Sequence, residues 1–140
     1  MRITADVATL PGTAAMTGGA GGHHIVVDRP EGRAGGRGLG FNGAQLLALA
    51  LGGCFGNDLH YAAHALGLEV EDAAIRVTLT LGGEPLVATR ATVRVRCRAA
   101  GGEGDATAIV TRAIANCTVA NTLCRSFPVE FTGWDDGADD

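Results

Sequence analysis

Residues 42–66 run NGAQLLALALGGCFGNDLHYAAHAL. From Leu46 to Phe55 the stretch is apolar nearly all the way round, which calls for a helix covered on every side rather than laid on a surface. At ~1.5 Å rise per residue it would span about 35 Å, the width of a small domain. A chain of 140 residues has little else to cover such a helix, and a second copy of the chain is the economical source of that cover. Ala44, Ala48, Gly52 and Gly56 fall at i, i+4, i+8 and i+12 on one face. Glycine inside a helix costs roughly 1 kcal/mol against alanine, so this stripe asks for a close neighbour, helix or strand, to offset it. At 100° per residue Cys54 projects nearly opposite Gly52, beside Leu47, Leu51, Asp58 and Tyr61.

Composition narrows the function classes. Apolar residues make up 46% of the chain and the formal net charge is −4, as expected of a globular, soluble protein. All 11 basic residues are arginine. The acidic balance and the few aromatics (4 Phe, 1 Trp, 1 Tyr) argue against nucleic-acid binding. Asp6 and Pro11 interrupt any signal-like layout at the N-terminus, and Asn57 and Asp58 break the longest apolar run short of a membrane span. The expectation is a cytoplasmic protein with no membrane partner. The cysteines at 54, 97, 117 and 124 have neither CxxC nor CxxxH spacing, so no structural zinc site and no metal or cofactor is expected; they read as free thiols or a cycling redox pair.

Around the helix, short strands are expected at residues 2–10, 13–17 and 23–28, an antiparallel meander with a glycine loop at 18–22. A Gly/Arg-rich loop over 29–40 leads into the helix, which Gly67 stops. Residues 74–81 and 86–98 alternate apolar and polar positions around a Gly82–Pro85 turn, a hairpin with one dry and one wet face. Asp105 is placed to cap a helix over 106–116. A short helix at 119–125 and a strand at 127–131 follow. The expected class is α+β, an antiparallel sheet wrapped around a long central helix, as one domain over residues 1–133 with an acidic, disordered tail at 134–140.

Cys54 is the first candidate for chemistry. An unperturbed thiol is only a few per cent thiolate at neutral pH, and burial makes that worse unless a cation is near. Arg29, Arg33 and Arg37 in the preceding loop are the candidate cations. Read alone, a buried cysteine is more often a small hydrophobe. Cys117, in Asn116-Cys117-Thr118-Val119-Ala120-Asn121-Thr122-Leu123, lies at a helix start, where the dipole favours a thiolate.

With these two segments, Leu51-Gly52-Gly53-Cys54-Phe55-Gly56-Asn57-Asp58 and Cys117–Leu123 some sixty residues later, the chain resembles the OsmC/Ohr family of thiol peroxidases over about residues 22–131. The resemblance implies an intertwined homodimer with active sites at the interface. It also implies that Cys54 is the peroxidatic cysteine and Cys117 the resolving one. The substrate would be an organic hydroperoxide, and the reductant a thiol or dithiol. The chain departs from the Ohr pattern at Ala20 and Ala44, where that pattern has an arginine and a glutamate, and at Thr118, where it has proline. Arg29-Pro30-Glu31-Gly32 resembles the Arg-x-Glu-Gly setting of OsmC-type members and nominates Arg29 as the thiolate-activating cation. The rival reading is a non-catalytic OsmC-like dimer that binds a small apolar ligand or senses redox state.

Other patterns carry less. Gly38-Leu39-Gly40-Phe41-Asn42-Gly43 matches GxGxxG, but the nearest expected strand ends ten residues earlier, unlike a dinucleotide site. His60 and His64 share a helix face without an evident third ligand. Cys97 and Cys124 read as packing residues, with Cys124 a possible second resolving thiol. Asp58, one turn beyond Cys54, could orient an arginine in place of the missing glutamate.

Overall fold

The computed structural model describes residues 1–134, which divide into two compact units, Met1–Leu47 and a second from Ala48 onward. The expected acidic tail beyond Trp134 lies outside the described residues.

The first unit is an antiparallel meander of β1 (Asp6–Thr9), β2 (Met16–Ala20) and β3 (His23–Val27). β2 begins three residues later than the sequence suggests and runs through Gly18 and Gly19, where the sequence suggests a loop. The reason is steric: a Cβ on Gly19 would lie 2.9 Å from the His24 ring of the paired strand, so the glycine makes room for a cross-strand side chain. The turn itself shrinks to Gly21-Gly22, both at positive φ (57° and 83°), as a tight two-residue hairpin requires. The loop after β3 folds back so that the Phe41 N–H donates to the Val26 carbonyl (3.1 Å) and the Asp28 N–H to that of Phe41 (3.0 Å). Gly40 is obligatory there, since a Cβ would sit 2.0 Å from the Val26 oxygen. The central glycine of the GxGxxG match thus serves a backbone crossing.

α1 (Gly43–Leu66) begins with a reciprocal capping box. The Gln45 N–H donates to Asn42 Oδ1 and the Asn42 N–H to Gln45 Oε1, both at 2.9 Å, satisfying two donors that the first turn leaves orphaned. It ends in a Schellman motif at Gly67 (φ 68°), whose N–H donates to His64 O while that of Leu68 donates to Ala63 O.

The second unit pairs β4 (Val70–Gly82) with β5 (Val87–Ala99) antiparallel, and β6 (Val129–Gly133) with β5 in parallel. The parallel pair was not expected; β6 returns after two helices, and that crossover permits it. α2 (Glu103–Asn116) starts earlier than expected. Gly102 is its N-cap, and Asp105 sits in the first turn with its carboxylate folded over Gly101 rather than capping. α3 (Thr118–Leu123) follows directly. One core joins Leu51, Phe55 and Leu59 of α1, Ala91 and Val93 of β5, and Ile109 and Ala113 of α2. The Phe55 ring meets that of Phe131 on β6 at 4.9 Å between centroids. The small-residue face of α1 receives β4: a Cβ on Gly52 would lie 3.2 Å from Val77 Cγ2, and one on Gly56 3.4 Å from Ile75 Cδ1. The helix is not covered all round within one chain, since Leu49 and Tyr61 remain 53% and 72% exposed. Trp134, expected in the frayed tail, instead donates its backbone N–H to the Val95 carbonyl, and its ring lies under the guanidinium groups of Arg76 and Arg96.

Candidate thiol–carboxylate site

Three side chains converge in the second unit. Cys54 and Asp58 are one turn apart on α1, so helical spacing alone stacks them. The Cys54 thiol donates to Asp58 Oδ2 at 3.6 Å. Cys117 is brought to the same place by the α2–α3 junction. It is the N-cap of α3, with φ −62° and ψ 106°, and its N–H closes α2 on the Ala113 carbonyl at 3.0 Å. The two sulfurs and the Asp58 carboxylate all lie within 4.8 Å of one another. Two thiols 63 residues apart in sequence thus meet because the junction between two helices points one of them at the middle of α1.

Their surroundings differ. Cys117 is buried completely, whereas Cys54 and Asp58 are half-buried. Burial pushes the Cys117 thiol up to about 12; the Ala120 N–H works in the opposite direction without forming a capping hydrogen bond, and the neighbouring Cys54 and Asp58 raise it further. The helix-start position was expected to favour a thiolate, but desolvation outweighs six residues of helix. Cys97 faces the core from β5, its thiol also raised by burial and then by Asp72. Cys124 is exposed, and its thiol donates to the Asn121 carbonyl. His60 and His64 are both exposed.

Arg29 belongs to the first unit, where an acidic anchor holds it. Asp28 is buried and accepts backbone N–H bonds from Arg29 (2.8 Å), Arg37 (3.0 Å) and Leu39 (3.1 Å). These bonds, led by those from Leu39 and Arg37, hold its carboxyl below the ordinary 3.8, against the effect of burial and with help from the Arg29 charge. The Arg29 guanidinium lies 3.5 Å from Asp28 and donates to the Ala14 carbonyl at 2.9 Å, while its Nε is buried without an acceptor among the described residues. Sequence reasoning passed over Asp28; an aspartate at a strand end, followed by a Gly/Arg-rich loop rich in free N–H groups, was the available signal.

The thiol–carboxylate cluster can take up and release protons, form a sulfur–sulfur bond and ligate a thiophilic cation. No helix among the described residues is long and apolar enough to cross a membrane.

Comparison with known proteins bears on which of these it does. The model of the family described as OsmC-like protein matches residues 35–132. No curated protein is detectably similar in sequence. Among solved structures, an OsmC-like protein of unknown function from Vibrio cholerae superposes with a TM-score of 0.79 at 16% identity, covering 96% of this chain and 99% of that one. The organic hydroperoxide resistance protein OsmC of Legionella pneumophila gives 0.69 at 20% identity, with coverage of 96% and 98%. The organic hydroperoxide resistance protein OhrB of Bacillus subtilis gives 0.66 at 20%, with the same coverage. At these identities the likeness is one of fold: an α+β chain with two small sheets and helices arranged as in OsmC-like structures.

Proposed function

The chain belongs to the OsmC-like protein family, and on that footing we propose that it is a cysteine-based peroxidase acting on organic hydroperoxides, with residues 1–133 working as one domain. The observation that carries this reading is the meeting of the Cys54 and Cys117 sulfurs within 4.8 Å, close enough for small side-chain rotations to join them. Cys54, the more accessible thiol, is the nucleophile. Its sulfur attacks the O–O bond and takes one oxygen, becoming a sulfenic acid, while the other leaves as alkoxide and receives a proton to become the alcohol. The Cys117 thiol then displaces water from that sulfenic acid, forming the Cys54–Cys117 disulfide. Two thiols of a reductant, or one dithiol, return the pair to its starting state by exchange. The roles divide by burial: a completely covered, protonated thiol waits for a neighbouring sulfenic acid, and a half-covered one meets the substrate.

Arg29 is the proposed activating cation, supported by its Arg-x-Glu-Gly setting and by a buried Nε that still has a donor to give. A homodimer completes the fold. Support for it comes from the exposed Leu49 and Tyr61 on α1 and from a cavity of about 240 Å³ lined by Ala48, Leu49, Gly52, Gly53, Ile75 and Val77, an apolar face a second copy would cover. Sedimentation should give twice the 14.2 kDa chain mass.

The test is hydroperoxide consumption with a thiol reductant. Cumene hydroperoxide is expected to be reduced by the native chain and not by Cys54→Ser, while Cys117→Ser accumulates a sulfenic acid that dimedone traps. Failure of the native chain to turn over with any monothiol or dithiol would leave the non-catalytic, ligand-binding or redox-sensing dimer as the better account.

A further inference from the structure

We propose that Cys54, Asp58 and Cys117 form a binding site for one thiophilic divalent cation, of which Zn2+ is the best match. The argument is geometric. With Zn–S near ~2.3 Å and Zn–O near ~2.0 Å, the edges of a tetrahedral site between donor atoms are about 3.5–3.8 Å long. The Cys54 Sγ to Asp58 Oδ2 separation is 3.6 Å, already an edge of that length. No donor pair in the trio exceeds 4.8 Å, so the longest needs to close by only about 1 Å.

The scaffold is suited to holding such an ion. Cys54 and Asp58 stand one turn apart on the same face of a 24-residue helix, and Cys117 is fixed by a backbone bond that closes α2. These are three donors on helices and a junction, not on a loop tip. Two sulfurs and one carboxylate select against Mg2+ and Ca2+, which take oxygen ligands. Loading releases the two thiol protons to solvent and forms two metal–sulfur bonds and one metal–oxygen bond. No electrons move and no oxidant is needed, and the charge of the loaded trio is −1. Three protein donors leave a fourth position open, as in zinc sites that bind water or an exogenous ligand, and the half-exposure of Cys54 and Asp58 gives that position access to solvent. The expectation from sequence was that no metal site exists; local spacing rules do not register an i, i+4 pair completed by a cysteine fifty-nine positions later. If the two cysteines cycle as proposed above, a chain holding the ion is closed to disulfide formation until the ion leaves.

The experiment uses the reduced full chain, without peroxide, so that its result does not depend on turnover. Anaerobic titration with Co2+ is expected to saturate at one equivalent per chain, with thiolate-to-metal charge transfer and the d–d bands of a tetrahedral site, both erased by Zn2+. Cys54→Ser and Cys117→Ser should lose the charge-transfer signal, and Asp58→Asn should weaken Zn2+ binding roughly tenfold or more. Cys97→Ser and Cys124→Ser should change nothing. Because a core variant can misfold, the native chain supplies a second readout: one equivalent of Zn2+ is expected to protect Cys54 and Cys117 from N-ethylmaleimide while Cys124 stays reactive. Absence of a saturable one-to-one complex, an octahedral cobalt spectrum, binding that survives Cys54→Ser, or binding that follows Cys97 or Cys124 would overturn the proposal.

Discussion

Asp28 and Asp58 are two aspartates set in opposite ways. Asp28, at the end of β3, accepts three backbone N–H bonds and faces an arginine; its charge is spoken for, and its carboxyl is held low. Asp58, on α1, receives a hydrogen bond from a thiol and stands beside a second one. A carboxylate with its lone pairs filled by backbone donors fixes a loop. One that faces two sulfurs has no such backbone cradle and is free to partner them. The contrast separates a residue that holds the first unit in shape from residues proposed to do chemistry in the second.

Substitutions can break that contrast. Cys54→Ser should cost peroxidase activity on the order of 10³-fold or more, with an unchanged thermal midpoint, because a half-covered sulfur gives way to a smaller oxygen; a fall in stability with activity kept would invert the assignment. Asp28→Asn should do the reverse to the fold. The depressed carboxyl contributes stability that is complete above the ordinary carboxylate value of 3.8 and is lost as pH falls through the lower folded value. Acid unfolding of the native chain should therefore steepen below about pH 4, and the variant should show a lower thermal midpoint at neutral pH and a flatter acid limb.

Two adjacent glycines of α1 sharpen the same point about what each face of the helix is for. Gly52→Ala presses a methyl group to 3.2 Å from Val77 and should cost about 1–3 kcal/mol by overpacking. Gly53→Ala meets nothing within 4 Å and should gain up to ~1 kcal/mol from helix propensity in the isolated chain. Chemical denaturation of both variants at low protein concentration reads the difference. The smallest effect is expected of Asp58→Asn, whose stability should stay within about 0.5 kcal/mol of the native chain while its thiol and metal chemistry change.

Much of this was legible in the residues. The apolar run from Leu46 and the stop at Gly67 marked out α1, and the alternation of Ile75, Val77 and Leu79 marked a half-covered strand; both signals are local. Cys54 and Cys117 were legible as candidates because each sits in a recognisable segment, and their meeting was implied by resemblance alone. What was not legible is non-local. Nothing in the apolar run around Phe131 says that β6 will lie parallel to β5. The glycines of β2 looked like a loop because the reason for them, the His24 ring, stands on another strand. The helix-start rule failed for Cys117 because burial by distant residues outweighs a short dipole. Asp28 escaped notice because its partners are backbone groups, which carry no side-chain pattern.

The measurement closest to the central claim is peptide mapping after a single oxidation. Reduced protein is given one equivalent of cumene hydroperoxide, its remaining thiols are blocked with N-ethylmaleimide, and the digest is read by mass spectrometry. Of the 4 cysteines, Cys97 and Cys124 are predicted to carry the label and Cys54 and Cys117 to appear as one cross-linked peptide. Four labelled cysteines, or a bridge that leaves out either Cys54 or Cys117, would contradict the account.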